Sequence, residues 1–117
     1  MKNKTVWNAI IWKTNGDEDF RVFAQKPNFA NIYRLINCNM IEFHKGCHED
    51  YGNFEMHCDE EAKLTNKPVN KRATKAWYEW CKKTKHIRLP GDTINGDVAI
   101  LQKVKQPNEK QEVRSVT

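Results

Sequence analysis

Two short runs decide how this chain is read: Met40-Ile41-Glu42-Phe43-His44-Lys45 and Asn53-Phe54-Glu55-Met56-His57-Cys58. Both alternate apolar with polar side chains, the period-two pattern of a half-buried strand. Ile41 and Phe43 point one way, Glu42 and His44 the other. On the second run Phe54, Met56 and Cys58 are apolar, and Glu55 and His57 are polar. Pairing Phe43 opposite Cys58 gathers the apolar members on one face and sets His44 beside His57 on the other. A slip of one residue mixes the faces, so this register is the expected one. The residues between, 46–52, are rich in turn formers.

Working outward, residues 5–13 mix β-branched and aromatic side chains and predict a strand. Asn15-Gly16-Asp17 is a turn signal, and residues 20–24 predict the returning strand of a hairpin. Asn28, after Pro27, is a good N-cap, and Phe29, Ile32, Tyr33 and Ile36 follow at helical spacing as far as Asn37. Residues 59–68 form a polar connection. Asn70 then caps a second helix running to about Lys83. Its stripe is Ala73, Ala76, Trp77, Trp80 and Cys81, with Trp77 and Trp80 as expected core anchors and Lys71, Arg72, Lys75 and Lys82 off the stripe. Leu89-Pro90-Gly91-Asp92 and Ile94-Asn95-Gly96-Asp97 are turns, and residues 98–104 predict a last strand. These elements predict an α+β fold: a small antiparallel or mixed sheet with two helices packed on one side. Residues 1–104 form the single domain and 105–117 a polar tail.

Bulk properties agree with one domain of 117 residues. Hydrophobic residues make up only 38%, yet four Trp, five Phe and three Tyr argue against disorder throughout. The net charge of +5 favours anionic partners without naming one. The apolar stretch 6–12 is too short to span a membrane and is interrupted by Asn8, with no small-residue cleavage site after it. A cytoplasmic protein is expected, in which Cys38, Cys47, Cys58 and Cys81 are thiols rather than a disulfide framework.

Cys58-Asp59-Glu60-Glu61-Ala62-Lys63-Leu64, Pro68-Val69-Asn70 and Ala73-Thr74 resemble a domain-of-unknown-function family, family 3846. Gly91-Asp92-Thr93-Ile94-Asn95-Gly96-Asp97-Val98, followed by Ala99-Ile100-Leu101, resembles that family's closing strand, and residues 32–42 its opening. The resemblance covers about residues 28–101. It implies an accessory protein of a bacteriophage or mobile element, working in the host cell cytoplasm, and carries no activity and no catalytic residues. Ala62 stands where the family commonly has Gly. The N-terminal hairpin and the Cys/His-rich connection lie outside the recognised pattern.

Four constellations carry candidate chemistry. His44, Cys47, His48, His57 and Cys58 could supply soft metal ligands, but no Cys-x-x-Cys knuckle exists and Cys58 is expected to face the core, so no metal site is assigned. Asp59, Glu60, Glu61, Asp92 and Asp97 are not tied by spacing to any nucleophile, so no catalytic residue is assigned. Asn70, Lys71, Arg72 and Thr74 begin a helix, where free N–H groups attract anions, and form the expected ligand-binding patch. Trp7, Trp12, Tyr33 and Tyr78 lie near basic residues, as base-stacking side chains do, but in a small domain such side chains more often fill the core.

The resulting expectation is a non-catalytic binder, without cofactor, of a phosphorylated small molecule or nucleotide signal, one that counters host defence. The alternative is a regulator that binds nucleic acid or a host protein through the same basic helix face. A metal-dependent enzyme built on the His/Cys hairpin is a third class. No membrane partner is expected, and self-association is left open.

Overall fold

The computed structural model describes residues 4–87 and 89–106. In chain order the elements are β1 (Lys4–Trp12), β2 (Glu18–Phe23), α1 (Phe29–Ile36), β3 (Ile41–His48), β4 (Gly52–Asp59), α2 (Lys71–Thr84) and β5 (Val98–Gln106). The five strands form one antiparallel sheet in the order β2-β1-β5-β4-β3. The fold is α+β, with both helices packed against the sheet. No helix among the described residues is long and apolar enough to cross a membrane.

Local chemistry explains the element ends. Gly16, at φ +95°, bends the first hairpin as Lys13 bonds across to Asp17. Asn28 caps α1 in a reciprocal box with Asn31, and the left-handed Asn37 closes it. The last strand outruns its expected end, because Lys105 and Gln106 pair with Thr5 and Lys4. The expected tail therefore loses its first two residues, and its remainder, 107–117, lies outside the described residues.

The helices do not share one side of the sheet, which corrects the expected arrangement. Alternation along β1 and β5 serves two cores. Ile10, Trp12, Val98 and Ile100 cluster with Met56, Cys58 and Ile94 under Ala73 and Ala76 of α2. Ala9, Ile11 and Ala99 cluster with Ile32 and Ile36 of α1. Residues 9–12 of β1 and 98–100 of β5 are buried on both faces, so α1 and α2 lie on opposite sides.

The same two-sidedness corrects the hairpin register. Phe43 pairs with His57, and Cys58 with Glu42. His44 stands opposite Met56, so His44 and His57 lie on opposite faces. The one-face assumption fails because β3 and β4 put their apolar residues on different sides. Met56 and Cys58 enter the α2 core, while Ile41 packs with the α1 core. On the α2 side Glu42 and His44 satisfy each other at 2.6 Å, and the imidazole lies 5.0 Å from the Trp77 ring. His57 is buried, its Nδ1 in hydrogen-bond contact with the Ala99 carbonyl at 3.3 Å.

The core anchor is also a different indole. Trp12 is fully buried, with Phe54 edge-on at 5.6 Å. Trp77 only flanks the α2 core, and Trp80 belongs to neither cluster, resting on the His86 ring at 4.4 Å. The buried residues that α2 adds to the Trp12 cluster are small, Ala73 and Ala76, and they leave room for Trp12 beneath the helix.

Candidate functional site

The start of α2 is fastened to the fold by two of the four expected ligand-binding residues. Asn70 is 0% exposed. Its Oδ1 accepts from the Ala73 N–H at 3.0 Å, and its Nδ2 donates to the carbonyls of Trp12 and Gly96 at 2.8 and 3.0 Å. Thr74 is buried, and its Oγ1 both donates to the Ile94 carbonyl and accepts from the Ile94 N–H. These side chains join helix, first hairpin and last connection, and their hydrogen-bonding atoms are spent inside the protein.

The two cationic members part company. Lys71 is exposed and borders a shallow hollow with Val69, Lys75 and Tyr78. Arg72 turns the other way: its guanidinium lies 4.6 Å over the Trp12 ring and pairs with Glu18 at 3.1 Å. The geometry thus separates the expected patch into two fastening residues and two cations on different flanks of α2.

Arg72 opens a cleft of about 450 Å³ between α2 and the end of β3. Arg72, Lys75, Ala76, Glu79 and Lys83 line it from the helix, and Cys47, His48 and Glu49 from the strand side. Positions 72, 75, 76, 79 and 83 recur at helical spacing, so one flank of α2 supplies three cations. Lys83 Nζ reaches Cys47 Sγ at 3.1 Å, tying the far end of the helix to the strand. His48 packs on the Trp12 ring at 5.7 Å and on Tyr51 at 5.3 Å. Glu49 and Glu79 are the opposing charges. The sequence signal for this flank is the 72-75-79-83 spacing, which lies off the apolar stripe and extends beyond the helix start.

A second cleft, of about 130 Å³, lies beside Glu42, His44, Cys58, Lys63, Asp92 and Thr93. Its polar groups are committed: His44 to Glu42, Thr93 Oγ1 to Asn95 at 2.6 Å, and Lys63 to Asp92, which holds that carboxyl below its ordinary value. Burial pushes the Cys58 thiol far above its ordinary value and keeps it protonated.

The other expected groups have structural positions. Asp59 is buried and paired with Lys67 at 2.6 Å, and Asp97 accepts from the Thr14 N–H at 3.0 Å. Lys26 lies 5.3 Å from the Trp7 ring, and Tyr33 stacks on Phe29. The four cysteines are free thiols. Among the described residues no three His, Cys, Asp or Glu side chains are grouped to hold a metal. No family model, curated protein or solved structure matches this chain. Any functional reading therefore rests on its own residues.

Proposed function

We propose that this protein is a non-catalytic binder of a phosphorylated small molecule or nucleotide, seated in the cleft between α2 and the end of β3. The observation that supports this reading is the convergence of Arg72, Lys75 and Lys83 on one concave surface beside His48. Arg72 is held by the Trp12 ring and Glu18, so its position carries little ordering cost on binding. Lysine and arginine donors pair well with phosphate oxygens, and a cleft of this volume suits a mononucleotide. The expected patch is thereby refined: Arg72 stays a ligand contact, while Asn70 and Thr74 hold the helix that presents it. The setting implied by the resemblance to family 3846, a bacteriophage or mobile element in a host cell, makes nucleotide signals of host defence the first ligands to try.

The test is a calorimetric titration with a nucleoside monophosphate, inorganic pyrophosphate and a single-stranded oligonucleotide, each over a range of salt. The wild type should bind one of the two small anions saturably. Lys75→Ala/Lys83→Ala should weaken that binding by at least about tenfold, and Lys71→Ala should not. A steep salt dependence seen with the oligonucleotide alone would replace the small-ligand reading by the nucleic-acid one. Equal affinity of wild type and double variant for every anion would overturn the cleft assignment.

A further inference from the structure

Among the described residues β2 is an edge strand with one side unpaired, and the hairpin geometry shows which of its groups that side presents. Lys13 N–H bonds to the Asp17 carbonyl, and Gly16 N–H to that of Lys13. In an antiparallel pair, mutually bonded positions alternate with unbonded ones. Asp19 and Arg21, opposite Ile11 and Ala9, therefore spend their backbone groups on β1. Glu18, Phe20 and Val22 direct theirs outward, and Arg21 Nη1 reaching back to the Phe20 carbonyl at 3.1 Å agrees with this. Phe20 and Val22 are 52% and 57% exposed, and they share the face that carries Ile10 and Trp12. An edge with no neighbouring strand and exposed apolar side chains is a template for another strand, and the Phe20 carbonyl keeps a second lone pair beside the Arg21 bond.

We infer that the free edge of β2 docks a second copy of this chain, antiparallel about a two-fold axis at Phe20. Outward-facing groups must meet outward-facing groups, so only registers pairing 18, 20 and 22 among themselves form bonds. Charge then selects one of them. With Phe20 opposite itself, Asp19, which also pairs with Lys13 of its own chain at 3.1 Å, faces Arg21 of the second copy, and the same pair recurs across the axis. A slip of two residues in one direction sets Arg21 against Arg21, and in the other Asp19 against Asp19. In the selected register the two Phe20 rings meet on one face, and Glu18 pairs with Val22 in the ladder. The two sheets become one continuous sheet. The opposite edge strand, β3, packs against α2. An interface of one short strand per copy is small, so the dimer forms at high micromolar concentration.

Sedimentation velocity from about 10 μM to about 1 mM, spanning the weak-interface range, tests this. The wild type should pass from monomer to dimer. Asp19→Arg and Arg21→Asp should each raise the dissociation constant by about tenfold or more, since each sets two like-charge pairs across the axis. An equimolar mixture of the two variants should dimerise like the wild type, because each then supplies the charge the other lacks. Val22→Pro removes an outward N–H and no bond to β1, and should also give a monomer should a charge swap fail to fold. In hydrogen exchange, the amides of Phe20 and Val22 should gain protection with concentration. A wild type still monomeric at the highest concentration would overturn the inference. So would a dimer indifferent to all three substitutions.

Discussion

Beneath α2, the sheet buries Trp12, Met56, Val98 and Ile100 in one cluster, and the helix itself is fastened at its start by Asn70 and Thr74. Beneath α1, a helix of 8 residues against 14, the cluster is Ala9, Ile11, Ile32, Ile36 and Ala99, and Phe43 remains 48% exposed on that face. The two faces are closed by different means. The α2 face joins a large indole to a polar lock that reaches three segments. The α1 face relies on small and aliphatic packing and on a helix capped by its own residues. The difference teaches that the firmer face also presents the cleft: its Arg72 rests on the same Trp12 ring that fills the core below.

The largest effect should come from removing that ring. Trp12→Ala is expected to cost about 3–5 kcal/mol, whereas Trp80→Ala, outside both clusters, should cost well under half as much. Urea unfolding of both variants measures this, and equal losses would return Trp80 to the core.

Next is the polar lock. Asn70→Ala leaves the Trp12 and Gly96 carbonyls and the Ala73 N–H without their partner, at a cost of about 3 kcal/mol. Asn70→Asp keeps the acceptor for Ala73 but has no N–H for the carbonyls, so it should recover only part of the loss. Full recovery would reduce Asn70 to an ordinary cap and erase the contrast with α1.

A smaller loss is expected at Gly46, where an added Cβ would stand 2.5 Å from the Phe54 ring. Gly46→Ala should destabilise by about 1–3 kcal/mol, because the displaced ring packs edge-on against Trp12. Combining it with Phe54→Leu should cost less than the sum of the two single changes. Strict additivity would show that the ring does not transmit the strain.

The smallest effect distinguishes the α1 face. Burial holds His57 below its ordinary value of 6.5, against the Ala99 hydrogen bond and the Glu55 charge, which favour protonation. The folded protein therefore takes up this proton less readily than the unfolded chain. The stability it contributes is complete above pH 6.5 and is lost as pH falls from there through the lower value of the folded state, with a slope of at most about 1.4 kcal/mol per pH unit. His57→Gln should flatten this part of the pH profile of the thermal midpoint. An unchanged profile would mean that His57 is as accessible to protons folded as unfolded.

Of the residues that line the cleft, Arg72 alone was legible as a ligand contact. Asn70, Lys71, Arg72 and Thr74 stood out because a capped, basic helix start is a local feature. Whether a capping side chain also spends its remaining donors inside the fold depends on what lies beside it. For Asn70 that is the Trp12 and Gly96 carbonyls, 58 and 26 residues away. Likewise the cleft needs Cys47 and His48 at the end of β3, residues that read as part of a turn until β3 is seen to run to His48.

The sequence by itself determined the elements whose signals are local: the Asn15-Gly16-Asp17 hairpin, the Asn28 and Asn70 caps, the helical spacing from Phe29 to Ile36, and hence an α+β chain whose sheet was left open between antiparallel and mixed. Tertiary structure alone decided the β3–β4 register, the side on which each helix lies, and which tryptophan became the core. The physical reason is that alternation reports burial only when one face of a strand is covered. Here residues 56–59 of β4 and 98–100 of β5 are sealed on both faces. His57 is buried by its bond to Ala99, Glu42 and His44 sit beneath α2 by satisfying each other, and polarity ceases to mark the outside.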